Sequence, residues 1–295
     1  MDVIYFAHDG ALQVMAPGGS GKTSLLEGYV GPVIEPSYEL HGGGRWFLKP
    51  VGSELIATKD DGTTVMLLGA GDDGDWDVEH SLVRWVKDGE IRDGRVSWVS
   101  SRMDGETEQF AIVRATLIYD SQTGDIAGLD LESIERFEGL SQSYDWSPDG
   151  TMIAFTDADL GALWVFDTLT QNFQLLAADW VWLTPAWSPD GSRIAYVAND
   201  TEANITQLKT IHLINGTVTL IDEGQLSYLE GTRVYAADWS PDSSQLVYEK
   251  YSSAGNGQNH DIVVRNANGK GKTSILTKEL DTWSSLPAIL GWRAE

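Results

Sequence analysis

The sequence predicts an all-β fold built from a repeated strand–turn–strand unit, and three observations carry that prediction. Asp145-Trp146-Ser147-Pro148-Asp149-Gly150, Ala186-Trp187-Ser188-Pro189-Asp190-Gly191 and Asp238-Trp239-Ser240-Pro241-Asp242-Ser243 are copies of one another. Each is followed by a short apolar run: Met152-Ile153-Ala154-Phe155, Arg193-Ile194-Ala195-Tyr196-Val197 and Gln245-Leu246-Val247-Tyr248. A strand ending on tryptophan, a tight turn and a returning strand account for the pattern. Proline presets φ, aspartate bonds its own backbone, and glycine accepts φ > 0. The unit also recurs about every 50 residues, the mark of a repeat architecture.

The second half of each unit reads as another hairpin. Leu163-Trp164-Val165-Phe166-Asp167 leads into Phe173-Gln174-Leu175-Leu176, and Leu117-Ile118-Tyr119-Asp120 leads through Ser121 to Gly124 into Ile126. Asn215-Gly216 and Asp61-Gly62, strong hairpin dipeptides, join Ile211–Ile214 to Thr217–Ile221 and Leu55–Thr58 to Thr63–Leu68. Ala16 to Thr23 loosely matches a phosphate-binding loop, with Ala in place of the first glycine. Such a loop needs a helix after it. Here a short strand is expected to follow Lys22, and Gly271-Lys272-Thr273 occupies the same place in a sister copy. These glycines are read as turn residues.

Aligned on the tryptophan, the unit repeats six times, with Tyr38, Trp85, Trp146, Trp187, Trp239 and Trp292 in equivalent positions. Leu286 to Trp292 is a first strand with no partner after it. Val3-Ile4-Tyr5-Phe6-Ala7 is a second strand with no first strand before it. The expected fold is therefore an all-β, six-bladed β-propeller of four-stranded blades, in which the C-terminal strand pairs into the N-terminal blade. One domain is expected over residues 1–295, with the first blade formed by residues 1–30 and 284–295.

The Trp-Ser-Pro-Asp-Gly-x-x-Ile-Ala-Phe/Tyr pattern resembles the repeat of TolB-type propellers, a WD-like family also described by its PD40 repeat. The resemblance implies six blades around a central channel and an extracytoplasmic (periplasmic or secreted) place of work. In TolB the propeller binds a peptidoglycan-associated lipoprotein and follows an N-terminal α/β domain. Related peptidases add an α/β-hydrolase domain. Neither domain is expected in this chain, nor does a Gly-x-Ser-x-Gly elbow occur in it.

Composition narrows the partners. The chain of 295 residues is long enough to bury about 75% of its unfolded surface. It has no cysteine, so disulfides, thiolate metal sites and cysteine nucleophiles are excluded. Its 44 acidic and 20 basic residues give a net charge of −24, which repels nucleic acid and anionic membranes. No apolar run is long enough to span a bilayer, and Met1–Phe6 carries no features of a signal peptide. A monomer is expected.

Candidate functional residues lie in the segments that do not repeat. Loops leading into an innermost strand gather at one mouth of the channel. They hold Trp76, Asp77, Glu79 and His80, then Tyr144, then Asp179, Trp180 and Trp182, then Arg233, then Asp281 and Trp283. Aromatics interleaved with carboxylates suit a sugar, a cation or a basic peptide. Asp73, Asp75 and Asp77 begin like a calcium loop, but Val78 and Arg84 stand where an EF-hand needs glycine and glutamate. No cofactor or metal is therefore expected; calcium is the one with weak candidate ligands, and Asp157 with Asp159 is a weaker pair. The histidines His8, His41, His80, His212 and His260 show no metal-ligand spacing. The expected function is a non-catalytic binding or scaffold module recognising a protein or glycan partner through these loops. The alternative is a channel-sited, metal-assisted hydrolase or lyase acting on a carbohydrate.

Overall fold

The computed structural model describes residues 2–8, 11–27, 37–40, 44–51, 54–59, 61–68, 79–85, 94–104, 107–137, 140–157, 160–181, 183, 185–225, 231–254, 257–271, 274–275 and 288–294. Among the described residues there is no α-helix, and so no helix long and apolar enough to cross a membrane. Among the described residues the strands pair antiparallel into six four-stranded sheets. The chain divides into two compact units, Met1–Gly31 with Ser143–Glu295, and Pro32–Gln142.

The first unit opens with β1 (Asp2–His8), β2 (Ala11–Met15) and β3 (Thr23–Glu27). The turn between β2 and β3 closes with Gly19 donating to the Ala16 carbonyl at 2.8 Å, and Gly19 and Gly21 take φ of 79° and 68°. A strand follows Lys22 where a phosphate loop would need a helix, and the Lys22 ammonium lies 5.2 Å from the Phe6 ring centroid.

The second unit contains β4 (Ser37–Leu40), β5 (Gly44–Val51), β6 (Glu54–Lys59) and β7 (Thr64–Leu68) as one sheet. Its other sheet is β8 (Glu79–Trp85), β9 (Arg95–Asp104), β10 (Thr107–Tyr119) and β11 (Ile126–Phe137). Trp46 and Trp98 are fully buried in the core shared by these sheets, with Leu48, Leu55, Val113 and Leu117. Both stand on second strands, β5 and β9. The aligned Tyr38 and Trp85 lie on β4 and β8, and their side chains fall outside the described residues. Lys59 pairs with Asp125 at 2.7 Å and ties the two sheets.

The first unit resumes within β12 (Leu140–Trp146), followed by β13 (Met152–Asp157), β14 (Ala162–Asp167) and β15 (Asn172–Ala177). Then come β16 (Ala186–Trp187), β17 (Arg193–Asp200), β18 (Ile205–His212) and β19 (Val218–Gln225). The last are β20 (Gly231–Trp239), β21 (Gln245–Ala254), β22 (Gly257–Asn266), β23 (Ser274–Ile275) and β24 (Ala288–Ala294). As expected, the final strand joins the first sheet, in the order β24-β1-β2-β3, with Ile4 opposite Trp292 and Val3 opposite Arg293.

The repeated turn is closed by its own side chains. In each copy the serine hydroxyl donates to the turn aspartate: Ser147 to Asp149 at 2.5 Å, Ser188 to Asp190 at 2.7 Å, Ser240 to Asp242 at 2.6 Å. The same hydroxyl accepts the backbone N–H five residues on, from Met152, Arg193 and Gln245, each at 2.9 Å. Gly150 and Gly191 take φ of 67° and 71° at the last turn position, and Ser243 adopts the same conformation at 59°. The Ser243 hydroxyl is used: it accepts the Asp190 N–H at 3.0 Å and so links two turns.

Packing then joins one sheet to the next. Trp187 is buried with Ala154, Leu163 and Val165 of the preceding sheet and Ile194 and Tyr196 of its own. Trp239 is buried with Val197 and Leu208 of the preceding sheet and Leu246 and Tyr248 of its own. Trp292 repeats the arrangement between Val247, Ile262 and Val264 on one side and Ile4, Phe6 and Met15 on the other. Aspartates before the tryptophans add a clamp. Asp145 accepts the Trp187 N–H at 2.6 Å, and Asp238 accepts the Trp292 N–H at 2.7 Å. The middle copy has Ala186 instead, and there the Trp239 indole N–H donates to the Ala186 carbonyl at 2.9 Å. Arg193 covers the Trp239 ring, with its guanidinium carbon 4.6 Å from the centroid, and donates to the Ser243 carbonyl at 2.6 Å.

Trp239→Ala is expected to cost about 3–5 kcal/mol of unfolding free energy, through the cavity left between two sheets. Asp238→Ala is expected to cost about 1.5–3 kcal/mol, because it orphans the N–H of Trp292. Urea unfolding of both variants against the parent checks the order.

Candidate binding surface

The segment between β15 and β16 carries the most unusual residue of the first unit. Trp180 has φ of 53°, a left-handed backbone that bulky side chains avoid, yet 54% of its surface remains exposed. Two neighbouring elements hold it. The Val181 N–H donates to the Gly161 carbonyl at 2.7 Å, the Asn199 N–H donates to the Trp180 carbonyl at 3.2 Å, and Val181 bridges to Ala198 of β17. Gly161, at the end of the β13–β14 turn with φ of 59°, lies directly beneath the indole. A β-carbon there would stand 3.0 Å from the Trp180 Cα and 3.1 Å from its ring. Leu160, next in the turn, is 63% exposed. An exposed aromatic ring thus lies over a glycine whose preceding residue is an exposed leucine.

Charge surrounds this pair. Asp179 accepts from Lys209 of β18 at 2.9 Å. Burial, and then the Asp179 carboxylate beside it, push the Tyr196 hydroxyl above its ordinary range. A related tie follows between the next sheets. Asp222 of β19 accepts from the Tyr248 hydroxyl at 2.6 Å and from Lys250 at 2.8 Å, both on β21, and Arg265 of β22 lies 3.5 Å away. Burial alone would raise the Asp222 carboxyl, but the hydrogen bonds from Lys250 and Tyr248 outweigh it and hold the group below its ordinary value.

Of the residues expected at a binding surface, Asp179 and Trp180 are brought together in solvent. Tyr144, on β12, is instead fully buried, so its ring presents no face to a ligand. The alternation of β12 turns it into the packed interior together with Trp146, and this corrects its expected place at a loop mouth. Glu79 and His80 stand on β8 opposite Ser101 and Ser100, and Arg233 stands on β20 opposite Tyr251. The side chains of these three are outside the described residues, as are Trp76, Asp77, Trp182, Asp281 and Trp283. The calcium candidates Asp73 and Asp75 and the residue Asp159 also fall outside them. Asp157 is occupied in its own turn, accepting the Leu160 N–H at 3.0 Å. Leu160, Gly161 and Lys209 were not singled out by sequence. For Leu160 and Gly161 the one signal is a leucine before a glycine after Asp157, and Lys209, on β18, gives none.

No family model matches the sequence, and no curated protein matches it. Solved structures do match its fold. The nidogen/laminin complex superposes with a TM-score of 0.59 at 11% identity, covering 99% of this chain and 97% of that one. A protein from Lactobacillus plantarum gives 0.50 at 14% identity, covering 99% and 98%. The hydrazine synthase of Kuenenia stuttgartiensis gives 0.51 at 10% identity, covering 82% and 65%. The chain is an all-β propeller. At these identities the likeness speaks for the fold alone, since one propeller scaffold carries many unrelated activities.

Two outcomes are expected. Because the folded-state pKa of Asp222 is depressed, its contribution to stability is present above the ordinary carboxylate range and is lost as pH falls through the depressed value. Asp222→Asn should therefore flatten the acid limb of urea midpoint against pH between about pH 2 and 6. Gly161→Ala should destabilise by about 1–3 kcal/mol and alter the near-ultraviolet circular dichroism of the aromatic residues, since the new methyl strains the backbone and displaces Trp180.

Proposed function

We propose that this propeller is a non-catalytic binding module that engages a protein partner, with Trp180 as its anchor. One observation carries the reading: an exposed tryptophan held in a left-handed backbone. Such strain costs of order 1–3 kcal/mol and persists where the surrounding structure over-determines it, most often at sites of function. The tertiary bonds to Gly161 and Asn199 supply that constraint here. Tryptophan is also enriched among the few residues that dominate protein–protein affinity. The Trp-Ser-Pro-Asp-Gly repeat supports a TolB-type propeller of six blades as the finer family, and with it an extracytoplasmic place of work. The net charge of −24 argues for a protein that is not itself strongly acidic.

The purified chain carrying a photo-crosslinking residue at Leu160 is expected to capture a polypeptide from extracts of its host. Adding Trp180→Ala should reduce that capture about tenfold or more, while the urea midpoint changes little, because the ring is largely exposed and the left-handed backbone is no easier for alanine. Undiminished capture by the Trp180→Ala protein overturns the reading.

A further inference from the structure

We propose that the Trp180 surface takes a basic polypeptide segment, with an arginine of the partner seated on the indole ring; this rests on the binding reading above and names the chemistry it would recognise. The exposed Trp180 ring, lying over Gly161 with the exposed Leu160 preceding it in the chain, gives an apolar face. Its borders are acidic. Asp179 precedes the tryptophan, and Asp157 begins the turn that carries Leu160. Asp200 follows the residue that donates to the Trp180 carbonyl, and Glu202 stands in the exposed turn beyond it. The described residues of segments 157–162, 178–183 and 198–209 carry a single basic side chain, Lys209, which closes on Asp179 at 2.9 Å.

These facts select the occupant. An uncharged apolar segment laid on the indole would draw Asp200 and Glu202 out of water while bringing no cation, and the one nearby lysine, Lys209, is already held by Asp179. An acidic segment would add repulsion to that cost, against a chain whose net charge is already −24. An arginine meets both demands at once. Its flat guanidinium stacks on an aromatic face, and its outward N–H groups remain for the bordering carboxylates. Lysine brings the charge without the planar fork, so it fits less well. Lys209 does not fill this role, because its ammonium is held by Asp179.

Fluorescence anisotropy with the full chain tests this. The probes are a labelled peptide alternating glycine and arginine, the same peptide with citrulline in place of arginine, and a labelled chitin oligosaccharide. The arginine peptide is expected to bind below about 1 mM, more weakly as salt rises. The citrulline peptide should bind about threefold to tenfold more weakly, as loss of a cation–π contact predicts. Trp180→Ala and the double variant Asp200→Asn, Glu202→Gln should each weaken the arginine peptide by a similar factor, and the double variant should also flatten the salt dependence. The cationic assignment is overturned by equal binding of arginine and citrulline peptides, by tighter binding of the oligosaccharide, by no arginine binding at about 1 mM, or by indifference of the double variant. If Trp180→Ala weakens citrulline peptide or oligosaccharide as much as arginine peptide, the surface stands and its chemistry is wrong. If Trp180→Ala changes nothing while the arginine peptide binds, the surface itself is wrong.

Discussion

In the first unit, a tryptophan at the end of a first strand has to be buried against the sheet before it, and most of the remaining order follows from that demand. Trp187, Trp239 and Trp292 each close a core with residues of their own sheet and of its neighbour. A large flat side chain there sets the spacing between sheets, so the turn beside it must be short and reproducible. The serine hydroxyl that both donates to the turn aspartate and accepts an N–H from the returning strand provides this reproducibility. Apolar burial gives the energy and the turn gives the register.

Polar groups at these seams are used sparingly and in pairs. Asp145 and Asp238 reach across to the backbone of the next tryptophan. Asp222 gathers a tyrosine, a lysine and an arginine from the following sheet. A buried carboxylate is costly unless its oxygens are satisfied, and here they are. The abundance of acids in this chain is therefore not only a surface property. Some of them hold sheet to sheet, which also makes part of the fold sensitive to acid.

Trp180 shows the opposite use of the same residue type. Trp187, seven positions on, is buried and has ordinary backbone geometry; Trp180 is exposed and strained. The difference lies in what surrounds each. Trp187 ends a strand that faces a partner sheet, whereas Trp180 sits in a connecting segment held by backbone bonds over a glycine. The segment keeps its shape without burying the ring, and the ring stays available.

Much of this fold was legible in the sequence because hairpin chemistry is local. Asp-Gly, Asn-Gly and Ser-Pro-Asp-Gly specify turns within four residues, and the unpaired strands at the two ends of the chain called for each other. The helix that a phosphate loop requires could be ruled out on the same local grounds. Other features depend on residues far apart. The partner of Asp145 is 42 positions away and that of Asp238 is 54 away, so neither clamp shows as a local pattern. Tyr144 could be placed near a loop but not turned inward or outward without knowing which face of β12 packs. The sequence by itself determined the strands, their turns and the pairing of the last strand with the first, since short-range conformational preference and period are enough for those. Only the tertiary structure decided which aspartates clamp and which tryptophan is left in solvent, because burial belongs to the neighbours a residue meets and not to the residue.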